Sequence, residues 1–512
     1  MKHFIHSILA ASVFAAAACP LVCAAAPQPE VHSYFLYDSD DETGDVYGSG
    51  RIETVYLTDD SFAEYPELGR ALAETELPRE ESLRRQFREM TQESRERTAS
   101  GESFPYEASL ETGIQVTRAD EQVFSFRESF EDYAGGAHGY YCSFGYNFNV
   151  ADGSEILLSD IVADEEGLRE ILTMKLLEMY PDSSYGTMGR TLDDYSVFAD
   201  PDSVDAAPYP YKWVLEPDGI LFWFDPYEIA SYAEGTLSAF IGFDEAGSTL
   251  RGSVGAQEGA MVRSIPVGEP QLLDINGDGE QDYIYLESSA AGTDFSEEVS
   301  LTIHLSRGTG EMESDYFYDP RAYLMRTAGG KCWLYVDVTR EDDYHTVEVF
   351  DLNGDIPVYV GNFDGGFAVT YDSDLEASVR RVPVDPECLI MGVRINLLST
   401  YQGIRSYRVG EDGMPEPLEK DYAVQSPWAP LHTIDEVPVN EVDPETGEAS
   451  PEVTDVPAGE DLYLWRTDGE SYVDMKREDG SIVRILVTMD GWPAYIDGRE
   501  AEEYFETLYY AG

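Results

Sequence analysis

The residues best spaced for chemistry lie in "DINGDGEQD". Asp274, Asn276, Asp278 and Asp282 occupy positions 1, 3, 5 and 9 of a calcium loop, with Gly279 at position 6 and the Glu280 carbonyl at position 7. Hard oxygen donors at alternate positions can wrap one calcium ion, and the glycine permits the sharp turn. Position 12 is Tyr285 instead of a bidentate Glu, and strand-like sequence flanks the loop. The expectation is therefore a calcium loop of the kind found in repeat-type β proteins and not an EF-hand; the alternative is an acidic hairpin with no ion. "DLNGDIP" repeats the spacing with Asp351, Asn353 and Asp355 but puts Ile356 where the glycine belongs. It reads as a turn only, as does "DSDDETGD" from Asp38.

The second candidate is "YAGGAHGYY", from Tyr133 to Tyr141. Gly135 and Gly136 open backbone angles closed to other residues, so they can aim a side chain out of a sheet or let a ligand approach the main chain. His138 follows them. Asp225, Tyr227 and Glu228 in "FDPYEIASYAEG" are its candidate polar partners, and a hydrolase built on His138 needs one of those carboxylates within hydrogen-bond reach of the imidazole. Cys142 lies four residues on, on the same face of a strand, but a catalytic pair also needs an orienting group and none is identifiable. The alternative is a structural bend, with His138 bonded to backbone carbonyls and Asp225 and Glu228 satisfying a turn after Pro226. No complete catalytic constellation is visible, so Gly135, Gly136, His138, Asp225, Tyr227 and Glu228 are read as a binding set.

These residues must be held by strands and helices. "SYFLYDSDDETGDVYGSGRIETVYL" alternates apolar and polar residues about an acidic turn and reads as two strands. Leu68, Leu72, Leu83, Phe87 and Met90 recur at helical spacing, with Pro78 expected to divide the run into two helices. Strands return from residue 106, and "EEGLREILTMKLLEMY" is an amphipathic helix. The first half is α+β, strands packed with helices, to about residue 248. An all-β region with the calcium-type loop follows over 249–415. Residues 416–459, rich in Pro, Glu, Val and Asp, read as an extended acidic linker, and 460–512 as a small all-β domain. Within the first half the division expected is 27–125 and 126–248.

The chain has 512 residues, with Asp plus Glu at 100 against 33 Lys plus Arg, a formal charge of −67. Nucleic acid is not expected as a partner, because phosphate binding needs clustered cations; cationic proteins, cationic surfaces and metal ions are the electrostatically natural partners, the alternative being acidity that serves solubility alone. A short basic start, the apolar run from Phe4 to about Val22 and the small residues up to Ala26 predict a cleavable signal peptide over 1–26 and an exported protein. "AAAC" ending at Cys19 offers lipidation as an alternative, although Leu is missing three residues before the cysteine. No later segment is long and apolar enough to span a bilayer. Cys142, Cys332 and Cys388 then remain, and a Cys332–Cys388 disulfide is expected.

Taken together, "YAGGAHGYY", "NFNVADGSEILLSDI" and "WVLEPDGILFWFDPYEIASYAEG" resemble, in this order, the PdaC/RsiV-like extracytoplasmic module. That module occurs in a lysozyme-sensing anti-sigma factor and in the non-catalytic part of a peptidoglycan deacetylase. The resemblance covers about residues 31–248. It implies a secreted or cell-surface envelope protein that binds a lysozyme-like cationic protein or an envelope polymer. Signalling to a sigma factor is not expected, because only Met1, Lys2 and His3 precede the apolar run. Deacetylation is not expected either: His32, His138, His304, His345 and His432 form no paired metal motif.

Overall fold

Alternating apolar and polar residues turn the start of the described chain into a hairpin. Strand β1 (Pro29–Ser39) pairs antiparallel with β2 (Val46–Leu57), and at its turn Asp40 accepts the backbone N–H groups of Glu42 and Thr43 at 2.8 and 3.1 Å. In this computed structural model residues 26–510 are described, apart from 102–105, 187–188, 201–206, 253, 258, 277–280, 290–298, 307, 315–316, 342–343, 373–374, 426–428, 445 and 490.

A helix of 35 residues, Pro66–Ser100, buries Leu68, Leu72, Leu83, Phe87 and Met90. The predicted break at Pro78 does not occur; it falls at Tyr65, between Asp59–Glu64 and Pro66–Ser100. Pro78 is exposed, so water can serve the carbonyl its missing N–H leaves unbonded. Arg79 meanwhile ties the same turn to the sheet through its ion pair with Glu128 of the strand Val123–Tyr133, and pairs with Glu76 within its own helix. The helix ends at Gly101, whose φ of +71° makes the left-handed cap.

The sheet beneath it continues with β3 (Ala108–Ala119), β4 (Val123–Tyr133) and β5 (Tyr140–Asn149). β3 runs parallel to β2, and β4 and β5 follow antiparallel. Two strands from far along the chain, Val369–Asp372 and Ala377–Arg381, complete seven strands on the β1 side. The boundary expected at 125 therefore cuts through β4, and the region 249–415 lends strands to the N-terminal sheet. A second layer holds the helix Glu165–Met179, capped by Asp164 accepting the Gly167 N–H at 3.1 Å. Its Leu168, Leu172 and Leu176 share a core with the antiparallel sheet of β6 (Lys212–Glu216), β7 (Gly219–Phe224) and β8 (Leu237–Gly242).

Beyond residue 260 strands dominate, in several sheets, as the α+β-then-all-β reading predicts. Two expectations are corrected there. Residues 416–459 are not an extended linker: Val437–Val442 and Ala449–Val456 are paired strands of the large C-terminal sheet, with Val437, Val439 and Val456 buried. Nor do Cys332 and Cys388 pair. Cys332 is a free thiol that opens the strand Cys332–Thr339 and donates to the Ile275 carbonyl at 2.9 Å, whereas Cys388 precedes Leu389 in a different core.

Candidate ligand-binding site

β4 and β5 form a hairpin whose last pair is Asp132 and Tyr140, with 134–139 as its loop. Gly135 and Gly136 hold φ of +83° and +133°, and a Cβ at Gly135 would come within 2.7 Å of the Tyr106 ring. The glycines thus make the bend, and the bend presents His138 at the surface. Its Nδ1 donates to the Gly139 carbonyl at 2.8 Å. Its ring packs against Tyr232 with centroids 4.5 Å apart, and Tyr227 lies 5.2 Å from Tyr232.

A tight turn after β7 delivers Tyr227. The Glu228 N–H donates to the Asp225 carbonyl at 3.0 Å, Pro226 takes the second position, and Tyr227 the third with φ of +70°. That φ pattern belongs to a type II turn, whose third position favours Gly or Asn. Tyr227 is 61% exposed all the same. A left-handed conformation costs a tyrosine about 1 kcal/mol or more, so the surroundings must enforce it.

They do so through a buried polar network. Asp225 accepts the Ser143 N–H and Oγ, both at 2.8 Å, and pairs with Lys212. Glu228 accepts the Asp225 N–H at 3.0 Å and lies 3.1 Å from Lys212 and 3.5 Å from Arg190. Burial alone would lower the Lys212 pKa; Asp225 and Glu228 outweigh it and raise it. Neither carboxylate hydrogen-bonds the His138 imidazole, so the acid–base pair that a hydrolase requires is not assembled. Burial pushes the Cys142 thiol up to about 11, which keeps it protonated and poorly nucleophilic. What the arrangement offers is a set of exposed ring faces on a rigid base, suited to stacking and to cations.

The structure brings Gly135, Gly136, His138 and Tyr227 to one surface and puts Asp225 and Glu228 beneath it as supports. Sequence reasoning missed Tyr232, Lys212, Ser143 and Arg190. Tyr232 stood in plain view five residues after Tyr227, and Lys212 was signalled by its place at the head of the apolar strand "KWVLE".

The calcium-type loop is separate. Asp274 and Asn276 follow the strand Gln271–Leu273, and Asp282 opens the antiparallel partner Asp282–Ser288. Asp278 and Glu280 lie outside the described residues. Among the described residues, no three His, Cys, Asp or Glu side chains are grouped to hold a metal, and no helix is long and apolar enough to cross a membrane.

Comparison with known proteins gives one family match, over residues 159–244, to a protein of unknown function (DUF3298). The chain is similar to a DUF3298 family member from Bacteroides fragilis at 19% identity, covering 44% of this chain and 95% of that one with a TM-score of 0.32. It is also similar to one from Pseudomonas aeruginosa at 17% identity, covering 45% and 98%, with a TM-score of 0.30. No curated protein matches the chain. The matched segment includes the helix Glu165–Met179 and the sheet β6–β8. The chain thus carries a DUF3298 domain at residues 159–244, and this domain supplies Lys212, Asp225, Tyr227, Glu228 and Tyr232 to the site.

Proposed function

We propose that the chain is a secreted or cell-surface binding protein of the bacterial envelope that holds a lysozyme-like cationic protein at the His138–Tyr227–Tyr232 cluster. The observation that carries this reading is Tyr227, kept exposed in a conformation that its own backbone disfavours. Strain of this kind persists where the surrounding fold enforces it, often at ligand sites. A Lys or Arg side chain from a partner would lie over the tyrosine faces, worth about 0.5–2 kcal/mol per contact depending on desolvation. The formal charge of −67 would speed the encounter. The resemblance to the PdaC/RsiV-like module supports lysozyme in particular, and the amino-terminal run supports export.

The test is calorimetric titration of the full chain with lysozyme and with an unrelated basic protein of similar charge. Lysozyme should bind saturably, with association slowed by salt as the screening length falls from about 10 Å at 0.1 M to about 3 Å at 1 M. Tyr227→Gly should weaken binding about tenfold while the melting temperature holds or rises, since glycine accepts a positive φ freely. Equal, salt-labile binding of both proteins, untouched by Tyr227→Gly, sinks the reading. Binding of an envelope polymer instead would reassign the partner.

The reading includes a calcium ion at Asp274, Asn276, Asp278, Asp282 and the Glu280 carbonyl, supported by ligand spacing between two paired strands. Sites of about 10⁻⁴ to 10⁻³ M are filled outside cells. Added calcium should raise the melting temperature of the wild type and leave Asp278→Ala unmoved; no shift in the wild type removes the ion.

A further inference from the structure

Cations are scarce in this chain, yet three meet in one open cleft of about 550 Å³ in the C-terminal sheet: Lys420, Arg466 and Arg484, with Asp421, Thr446 and Tyr472 beside them. The cross-strand register explains the meeting. Arg466 lies opposite Asp474, and Asp474 opposite Arg484, on three neighbouring strands, so all three side chains share one face. Asp474 is fully buried and accepts Nε and Nη2 of both arginines at 2.6 to 3.0 Å. The Gly447 carbonyl accepts the same two Nη2 groups at 3.4 and 3.3 Å. One carboxylate thus orients two guanidiniums, and Nη1 of each has no protein acceptor among the described residues.

The remaining groups complete the cleft. Tyr472 lies under the Arg484 guanidinium at 3.5 Å and donates its hydroxyl to Asp421 at 2.5 Å. The second Asp421 oxygen is 3.3 Å from Arg466 Nε. Lys420 is exposed, its ammonium 3.4 Å from the Tyr472 oxygen. Both carboxylates on the floor are therefore taken. Glu448, exposed at the rim, has no side-chain partner among the described residues.

We propose that this cleft binds a phosphate-type oxyanion, held by Nη1 of Arg466, Nη1 of Arg484 and the Lys420 ammonium. Donors from three residues suit a group with three free acceptor oxygens better than a planar carboxylate with two. Preorganisation by Asp474 and Gly447 spares the ligand the cost of ordering two long side chains. Glu448 opposes an anion by like charge, so neutralising it should tighten phosphate binding.

The experiment is calorimetric titration of the full chain at low ionic strength with inorganic phosphate, with acetate as the carboxylate arm. Phosphate should saturate. Lys420→Gln should weaken it about tenfold, the worth of one charged hydrogen bond, with an unchanged melting temperature because Lys420 is exposed. Glu448→Gln should tighten it severalfold. Absence of saturation, an affinity indifferent to both variants, or acetate binding as tightly as phosphate would each overturn the assignment.

Discussion

Arg79 holds two buried carboxylates at once, Glu76 from its own helix and Glu128 from β4. Burial raises the Glu128 pKa to about 7; Arg79 opposes this and Glu76 adds to it. Two carboxylates for one guanidinium leave a surplus negative charge in the core, which a proton relieves. The sign follows from linkage: an acid whose folded pKa lies above its unfolded value contributes stability that is present at low pH and is lost as pH rises through the folded pKa. Between pH 5.5 and 8 the wild type should lose about 2 kcal/mol relative to Glu128→Gln, read as the difference between urea denaturation curves. Parallel curves would mean that Glu128 stays ionised in the fold. None of this was legible in sequence, where Glu76 and Arg79 look like surface charges on a helix whose inward positions are mostly apolar.

At the scale of elements, periodicity proved a better guide than composition. The hairpin of β1 and β2 was legible because its alternation survives an acidic turn. Residues 437–442 alternate too, with Val437, Val439 and Val442 buried, but Pro and Glu among them suggested a linker. Pro438 faces a partner strand on one side only, because the ladder to Ile482–Leu486 begins at Asn440, and at such an edge a missing N–H is tolerated. Limited proteolysis should accordingly spare 431–456; rapid cutting there would mean that these strands detach. Pro78 misled in the same way, since a helix breaker was weighed without the ion pairs that bridge it. Pro78→Ala restores the N–H that can reach the Glu74 carbonyl, and should stabilise the chain by about 1–3 kcal/mol in chemical denaturation. A loss of stability would show that the helix needs the proline's constraint.

At the scale of the whole molecule, the N-terminal module is not closed by its own sequence. β1 pairs with Ala377–Arg381, Arg381 lies 2.8 Å from Glu30, and Arg321 lies 3.1 Å from Glu53, which is 2% exposed. Partners separated by 268 residues carry no local signal, which is why the module was legible as a fold class but not as a dependent part. Burial would raise the Glu53 pKa; Arg321, Arg380 and Arg51 outweigh it and hold it low. Losing a partner of a buried ion costs about 3–5 kcal/mol, so Arg321→Met should destabilise the full chain by that order, and adding Glu53→Gln should recover much of it. Because Glu53 sits depressed, its contribution is present above the ordinary carboxylate range and lost as pH falls, a dependence that Arg321→Met should flatten. A fragment of residues 27–248 loses Arg321 and the strand that covers β1 together. It should melt below the full chain and self-associate through the bared edge of β1, as size-exclusion chromatography would reveal. A monomeric fragment with an unchanged melting temperature would mean that the module stands alone and that the later strands merely lean on it.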